Sequence, residues 1–160
     1  MRSRLSLVLL LLISAMSTTV VYAGNPVQIE DAWIADAPAV VKVRAGYLII
    51  QNTTKHMLTV KSFSSPAFAR VEIHQTISKN GMARMERASK LSIAPGKQLE
   101  FKPGGYHLML FDPAQPLKTG DKINFTLMLK NGKEIPFTAS VRKRSSKQDA
   151  DHQHHHHMHH

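Results

Sequence analysis

Short stretches in which apolar and polar residues alternate with a period of two run from residue 27 to residue 141. Gly, Pro, Asn and Ser separate these stretches, and no long stretch has a helical period. A period of two is typical of a strand that buries one face. The pattern therefore predicts an all-β domain with strands at 27–34, 46–52, 57–63, 70–76, 82–87, 91–101 (two pieces around a Pro-Gly turn), 106–111, 121–130 and 134–141.

A hairpin is predicted where Asn80 and Gly81 separate two of these strands. Asn-Gly favours a two-residue turn because both central residues must tolerate positive φ. With these two residues as the loop, three cross-strand pairs are expected: Lys79 with Met82, Thr76 with Met85, and His74 with Arg87. His74 and Met85 would then lie on one face as diagonal neighbours, with Cβ atoms about 7 Å apart.

The strand at 106–111 follows a turn at 102–105 that contains a Pro and two glycines. Its period places His107 and Met109 on one side, and Tyr106, Leu108 and Leu110 on the other. Elsewhere, the alternation predicts that Trp33 lies in the core or at its edge, and that Met128 lies in the core.

His74, Met85, His107 and Met109 are candidate metal ligands. Taken singly, a Met usually fills a core and a His usually lies at the surface, but core packing does not require these two same-face pairs. Thioether sulfur is a soft, uncharged ligand, and imidazole suits copper. Four neutral ligands favour Cu(I) over Zn(II), Ca(II) or Mg(II), and the absence of cysteine excludes a blue-copper thiolate.

The N-terminus has the features of a secretory signal peptide at residues 1–23. Arg2 and Arg4 precede an apolar run at 5–13, and small residues end at Ala23, after which we expect cleavage. The alternative is an uncleaved anchor, but Ser and Thr residues interrupt the run well short of the ~20 apolar residues that a span needs. No cysteine is present for lipid attachment, so a periplasmic location is expected, with the copper-binding domain at 24–143.

Residues 144–160 form a basic, His-rich tail for which disorder is predicted. Such a composition could bind Cu(II) or zinc loosely as a native tail, and the alternative is a purification tag. The possible secondary ligands are His152, His154, His155, His156, His157, Met158, His159 and His160.

The chain carries a formal net charge of +10 at pH 7, which falls to +8 without Arg2 and Arg4. A basic chain can bind nucleic acid, but export and the lack of a stacking motif argue against it. An acidic partner or peripheral contact with an anionic membrane surface is expected instead, and we expect a monomer. Catalysis is not expected, because Glu72, Glu86, Glu100 and the aspartates are dispersed along the chain.

Three segments resemble the periplasmic copper chaperone family PCuAC: Val71 to His74, Gly81 to Met85, and Pro103 to Leu110. Ala32-Trp33, residues 46–52 and residues 116–121 extend this resemblance over 27–141. It implies a cupredoxin-like Greek-key β-sandwich that carries one Cu(I) at a surface-exposed His/Met site. It also implies delivery to the copper-A centre of a haem-copper oxidase, in cytochrome c oxidase subunit II, or to a Sco-type protein.

Gln75 departs from this family, whose members often have Met directly after the first His. An auxiliary sulfur is therefore missing, although the set of four candidate ligands is complete. A second hypothesis makes the protein a general periplasmic copper and zinc buffer or resistance protein, in which the tail is the main binder and the domain is a scaffold.

Overall fold

A computed structural model of the chain describes residues 27–79 and 81–144. The predicted signal peptide, residues 24–26, Asn80 and the tail from residue 145 onward lie outside the described residues. Within this part of the chain no helix is long and apolar enough to cross a membrane. The described strands are β1 (Val27–Ala35), β2 (Val43–Asn52), β3 (Leu58–Ser64), β4 (Phe68–Lys79), β5 (Met82–Arg87), β6 (Leu91–Ile93), β7 (Gln98–Phe101), β8 (Tyr106–Pro113), β9 (Lys122–Leu129) and β10 (Glu134–Arg142).

The strands are hydrogen-bonded in the order β5-β4-β8-β7-β2-β1-β10-β9-β3-β6, and β8 also pairs with β2. The parallel pairing of β1 with β10 joins the half that contains β4 and β8 to the half that contains β3 and β9. The two halves pack on each other: the ring centroids of Phe63 and Phe101 are 5.8 Å apart, and those of Phe68 and Phe125 are 5.9 Å apart. The predicted all-β sandwich is confirmed.

Period-two alternation decides which side chains fill the space between the halves. Leu48 and Ile50 on β2 face the core, as do Leu108 and Leu110 on β8, while the residues between them face outward. On β9 the core positions belong to Leu127 and Leu129. Met128 between them is only half-buried, so its predicted core position is wrong. An apolar residue between two inward-facing leucines must point outward.

Asn52, at the end of β2, is a fully buried polar residue. Its Nδ2 donates to the backbone carbonyls of His56 at 2.8 Å, Ile93 at 2.9 Å and Ala94 at 3.1 Å. Its Oδ1 accepts from the Thr54 backbone N–H and hydroxyl. One side chain therefore ties the turn after β2 to the end of β6, and buried polar atoms without such partners are costly.

Asn52→Ala should destabilise the fold by about 2–3 kcal/mol, because buried carbonyl groups lose their donor. Urea unfolding at equilibrium measures this. Asn124→Ala is the matched control, since the exposed Asn124 side chain accepts one bond from Thr138, and its loss should cost less than about 0.5 kcal/mol. Equal losses in the two variants would contradict the role of Asn52.

Candidate metal centre

The antiparallel pairing of β4 with β8 places His74 directly opposite His107. Their imidazole ring centroids are 6.1 Å apart, with the ring planes inclined at 42°. Directly opposed residues in an antiparallel pair project to the same side of the sheet, so both rings extend from the same outer face. The two halves of the predicted site therefore converge through neighbouring strands.

The pairing of β4 with β5 follows the predicted hairpin register. Lys79 pairs with Met82, Thr76 with Met85, and His74 with Arg87, which confirms all three predicted pairs. Met85 therefore lies on the same face as His74, as its diagonal neighbour. Met82 lies on the opposite face of β5 from Met85, because the two residues are three positions apart on one strand.

Met109 completes the set on β8, two residues after His107 and opposite Glu72 on β4. The backbone register therefore places all four candidate ligands on one face of three adjacent strands, β5, β4 and β8. This face points outward, because the residues that alternate with the candidate ligands, Ile73, Leu108 and Leu110, are buried in the core.

Two glycines set the turns that lead into this face. Gly81 has φ 73° in the β4–β5 hairpin, and Gly104 has φ 77° in the turn before β8. Both values lie in the left-handed region, which is unfavourable for residues other than glycine. The second turn is closed by a hydrogen bond from the Gly105 N–H to the Lys102 carbonyl, and it brings the Gly105 carbonyl beside His107.

Each histidine has one ring nitrogen held by an acceptor. His107 Nδ1 lies 3.1 Å from the Gly105 carbonyl oxygen, which can only accept, so Nδ1 carries the proton. His74 Nε2 lies 2.9 Å from Glu72 Oε2. The remaining nitrogens, Nε2 of His107 and Nδ1 of His74, can then act as ligands. Metal-binding histidines commonly have their second ring nitrogen held in this way.

Glu72 is the main electrostatic feature of this face. The hydrogen bond from His74, followed by the nearby Arg87 and Arg70, holds the pKa of the Glu72 carboxyl below its usual range, against the opposing effect of burial. Arg70 Nε lies 2.9 Å from Glu72 Oε1, and Arg87 Nη1 lies 3.7 Å from the same oxygen. The carboxylate is therefore ionised at neutral pH and accepts a hydrogen bond from His74 Nε2–H.

Exposure of the four side chains is graded across the face. His107 on β8 is buried, with 6% of its surface exposed, while His74 and Met109 are half-buried. Met85 is 63% exposed, and every residue of its strand β5 is exposed. The expected surface-exposed site is thus open on the β5 side and closed on the β8 side.

A small aromatic cluster lies beside Met109. Ala45 pairs with Met109, and on the neighbouring strands Trp33 pairs with Tyr47, with ring centroids 4.5 Å apart. Trp33 and Tyr47 are both buried and form a cluster separate from the main core. Trp33 therefore lies at the outer face, on the side of Met109 away from the histidines, consistent with the predicted position at the core's edge.

Among the described residues, no group of three or more His, Asp or Glu side chains is arranged to hold a metal ion. Sequence reasoning missed the hydrogen bonds that link Glu72 to His74 and the Gly105 carbonyl to His107. The period of two could have indicated Glu72, since it shares a strand face with His74, but no sequence signal marks a backbone carbonyl. The predicted tail ligands lie outside the described residues.

Comparison with known proteins gives a family match over residues 27–141, to the family described as putative lipoprotein LpqE-like. The putative lipoprotein Lxx21020 of Leifsonia xyli is 32% identical over 120 residues, which cover 74% of this chain and 71% of the relative. The uncharacterized protein RP573 of Rickettsia prowazekii is 34% identical over 83 residues, which cover 51% of this chain and 46% of the relative.

Two solved structures extend this comparison. Cu(I)-bound DR1885 from Deinococcus radiodurans is 25% identical with a TM-score of 0.62, and the match covers 80% of this chain and 86% of that one. The copper-bound PCuAC domain from PmoF2 is 20% identical with a TM-score of 0.63, covering 77% of this chain and 97% of that one, and it shows the shared fold. The chain thus belongs to the LpqE-like family, and its fold is that of the PCuAC domains.

Proposed function

We propose that this protein is a periplasmic copper chaperone that binds one Cu(I) through His74, Met85, His107 and Met109. The observation that carries the proposal is the β4–β8 register, which sets His74 opposite His107 with one ring nitrogen of each left free for a ligand bond. Two imidazoles and two thioethers form a neutral set suited to a soft monovalent ion.

The relatives support copper as the cargo. One solved relative of the same fold is described as copper-bound, and another as carrying Cu(I). The family match covers residues 27–141, a range that includes strands β4, β5 and β8. The ligand set proposed for this chain rests on its own residues and their placement.

The graded exposure supports a role in transfer. Met85 lies on the fully exposed edge strand β5, whereas His107 is buried. An incoming ligand from a partner could displace the Met85 sulfur first, while the two imidazoles still hold the ion. No charge needs to be neutralised at that step, since all the exchanging ligands are neutral. This order of exchange favours handover over permanent storage.

The proposed recipient is a copper-accepting protein, either the copper-A site in cytochrome c oxidase subunit II or a Sco-type protein. Export to the periplasm is consistent with the predicted signal peptide and with the description of the Leifsonia relative as a putative lipoprotein. The role is that of a non-catalytic carrier, and we expect the protein to act as a monomer.

Met109→Leu should keep the fold but weaken Cu(I) binding by roughly tenfold or more, because Leu has similar volume and no sulfur. Competition with a Cu(I)-selective chelator measures the affinity, and urea unfolding measures stability. Met128→Leu is the matched control, as Met128 is also half-buried in a strand but lies in the other half of the sandwich. Unchanged affinity in Met109→Leu would make Met109 a packing residue.

Glu72→Ala should weaken Cu(I) binding by roughly tenfold, because the His74 ring loses the acceptor that orients it. The same chelator competition measures this. Glu100→Ala removes a carboxylate that pairs with Lys102 at an exposed position and should leave the affinity unchanged. Equal Cu(I) affinity in the two variants would show that Glu72 does not orient His74.

Deleting residues 144–160 distinguishes the chaperone from a general copper and zinc buffer that depends on the His-rich tail. Titration of the truncated and intact chains with Cu(I), Cu(II) and Zn(II) should show that one tight Cu(I) site remains after truncation. Loss of the loosely bound Cu(II) and zinc alone would agree with this. Loss of all Cu(I) binding together with the tail would favour the buffer.

A further inference from the structure

A groove of about 560 Å³ lies on the half of the sandwich that contains β3, β6 and β9. Its lining combines three exposed lysines with hydroxyl side chains: Lys61, Lys90, Lys130, Thr59, Ser89 and Ser92, together with Val60. The inward-facing residues of the same strands, such as Leu58, Leu91 and Leu129, are buried in the core. The groove therefore lies on the outer face of this half.

The backbone brings these side chains together from distant parts of the sequence. Thr59 pairs with Ser92, and their hydroxyl oxygens are 3.3 Å apart. The Lys130 N–H donates to the Thr59 carbonyl at 2.9 Å, which places Lys130 at the same end of β3. Lys61 is the extra residue of a β-bulge, since Val60 pairs with Leu129 and Ser62 with Met128. A bulge commonly redirects a side chain in this way.

The groove has an uncompensated positive charge. Among the described residues, no carboxylate lines it, and none of Lys61, Lys90 and Lys130 forms an ion pair. On the candidate copper face, the outer face of β5, β4 and β8 that carries the four candidate ligands, Arg70 and Arg87 are instead paired with Glu72. Three ammonium groups and adjacent hydroxyls offer only hydrogen-bond donors and positive charge, which suits the phosphate of an anionic ligand.

We propose that this lysine groove binds the phosphate headgroups of an anionic phospholipid membrane. Its composition favours lipid over protein, because protein interfaces are enriched in Arg, Met and aromatic residues and depleted in Lys. The lining contains lysines and hydroxyls, with no arginine or aromatic side chain among its described residues. Basic clusters of this kind are attracted to an anionic bilayer surface.

Met57 gives the groove an apolar neighbour. It is 59% exposed and lines an adjoining cavity together with Thr59 and Lys130. An exposed unbranched apolar side chain next to lysines can enter the boundary between headgroups and acyl chains, as on other peripheral membrane surfaces. A free phosphate ion would make no use of this side chain, so Met57 distinguishes a lipid surface from a soluble anion.

The two faces of the sandwich have separate roles in this arrangement. The candidate copper ligands lie on the outer face of the β5-β4-β8 half, and the lysine groove lies on the outer face of the other half. Contact of the groove with a membrane would leave the candidate copper face turned away from the lipid. The inference concerns the metal-free chain, so it stands or falls independently of the copper site.

The test is vesicle co-sedimentation of the metal-free chain beginning at Gly24, at low ionic strength, with phosphatidylglycerol and phosphatidylcholine mixtures against phosphatidylcholine alone. Binding should require phosphatidylglycerol. The variant K61Q/K90Q/K130Q should bind at least about tenfold more weakly. The variant K79Q/K97Q/K118Q removes the same charge from exposed lysines elsewhere and should bind within about threefold of the parent chain. The tail is present in every variant, and urea unfolding checks that each is folded.

Three results would overturn the proposal. Equal loss in the two triple variants would mean that net charge alone governs binding. Displacement from vesicles by inorganic phosphate, with no effect of Met57→Gln, would assign the groove to a soluble anion. Retention of vesicle binding by K61Q/K90Q/K130Q, together with loss of its binding to polyglutamate, would assign the groove to an acidic protein surface.

Discussion

The pairing register of β4 with β8 is the constraint on which the candidate copper site depends. It sets His74 opposite His107 and, two residues along each strand, Glu72 opposite Met109. A shift by one residue would turn both the histidines and their buried neighbours to the wrong faces. Ile73 and Leu108, which also pair in this register, would then lose their places in the core. Packing of the core and placement of the ligands are thus the same requirement.

Neutral ligands and a nearby ionised carboxylate have different roles on this face. The two methionines contribute no charge, and Glu72 is hydrogen-bonded to His74 and paired with two arginines. The carboxylate is therefore already satisfied, and its suggested function is to orient an imidazole. This division would keep the proposed ligand set soft and neutral, which suits a transferable Cu(I) ion. The exposed edge strand β5 carries Met85, the proposed ligand that a partner could replace first.

The sandwich also separates two kinds of positive charge. Arginines on the candidate copper face pair with Glu72, whereas the lining of the groove on the other half has no carboxylate among the described residues. Both faces project from the same core, and Asn52 holds the turn after β2 against the end of β6, the strand that carries Ser92. The positive charges of the described domain therefore lie in two different environments: arginines paired with a carboxylate on one face, and lysines without one in the groove.

The sequence by itself determined the strands, the hairpin register and the faces of its residues, because period-two alternation and the Asn-Gly turn are local signals. It thereby determined that His74 shares a face with Met85, and His107 with Met109.

The sequence did not determine that these two pairs meet, since the adjacency of β4 and β8 depends on how distant apolar faces pack. Met128 shows the same limit, because its neighbours Leu127 and Leu129 occupy the core. The bulge at Lys61 and the convergence of Lys61, Lys90 and Lys130 were likewise decided by the tertiary structure. Each of them arises from strand pairing between segments far apart in the chain.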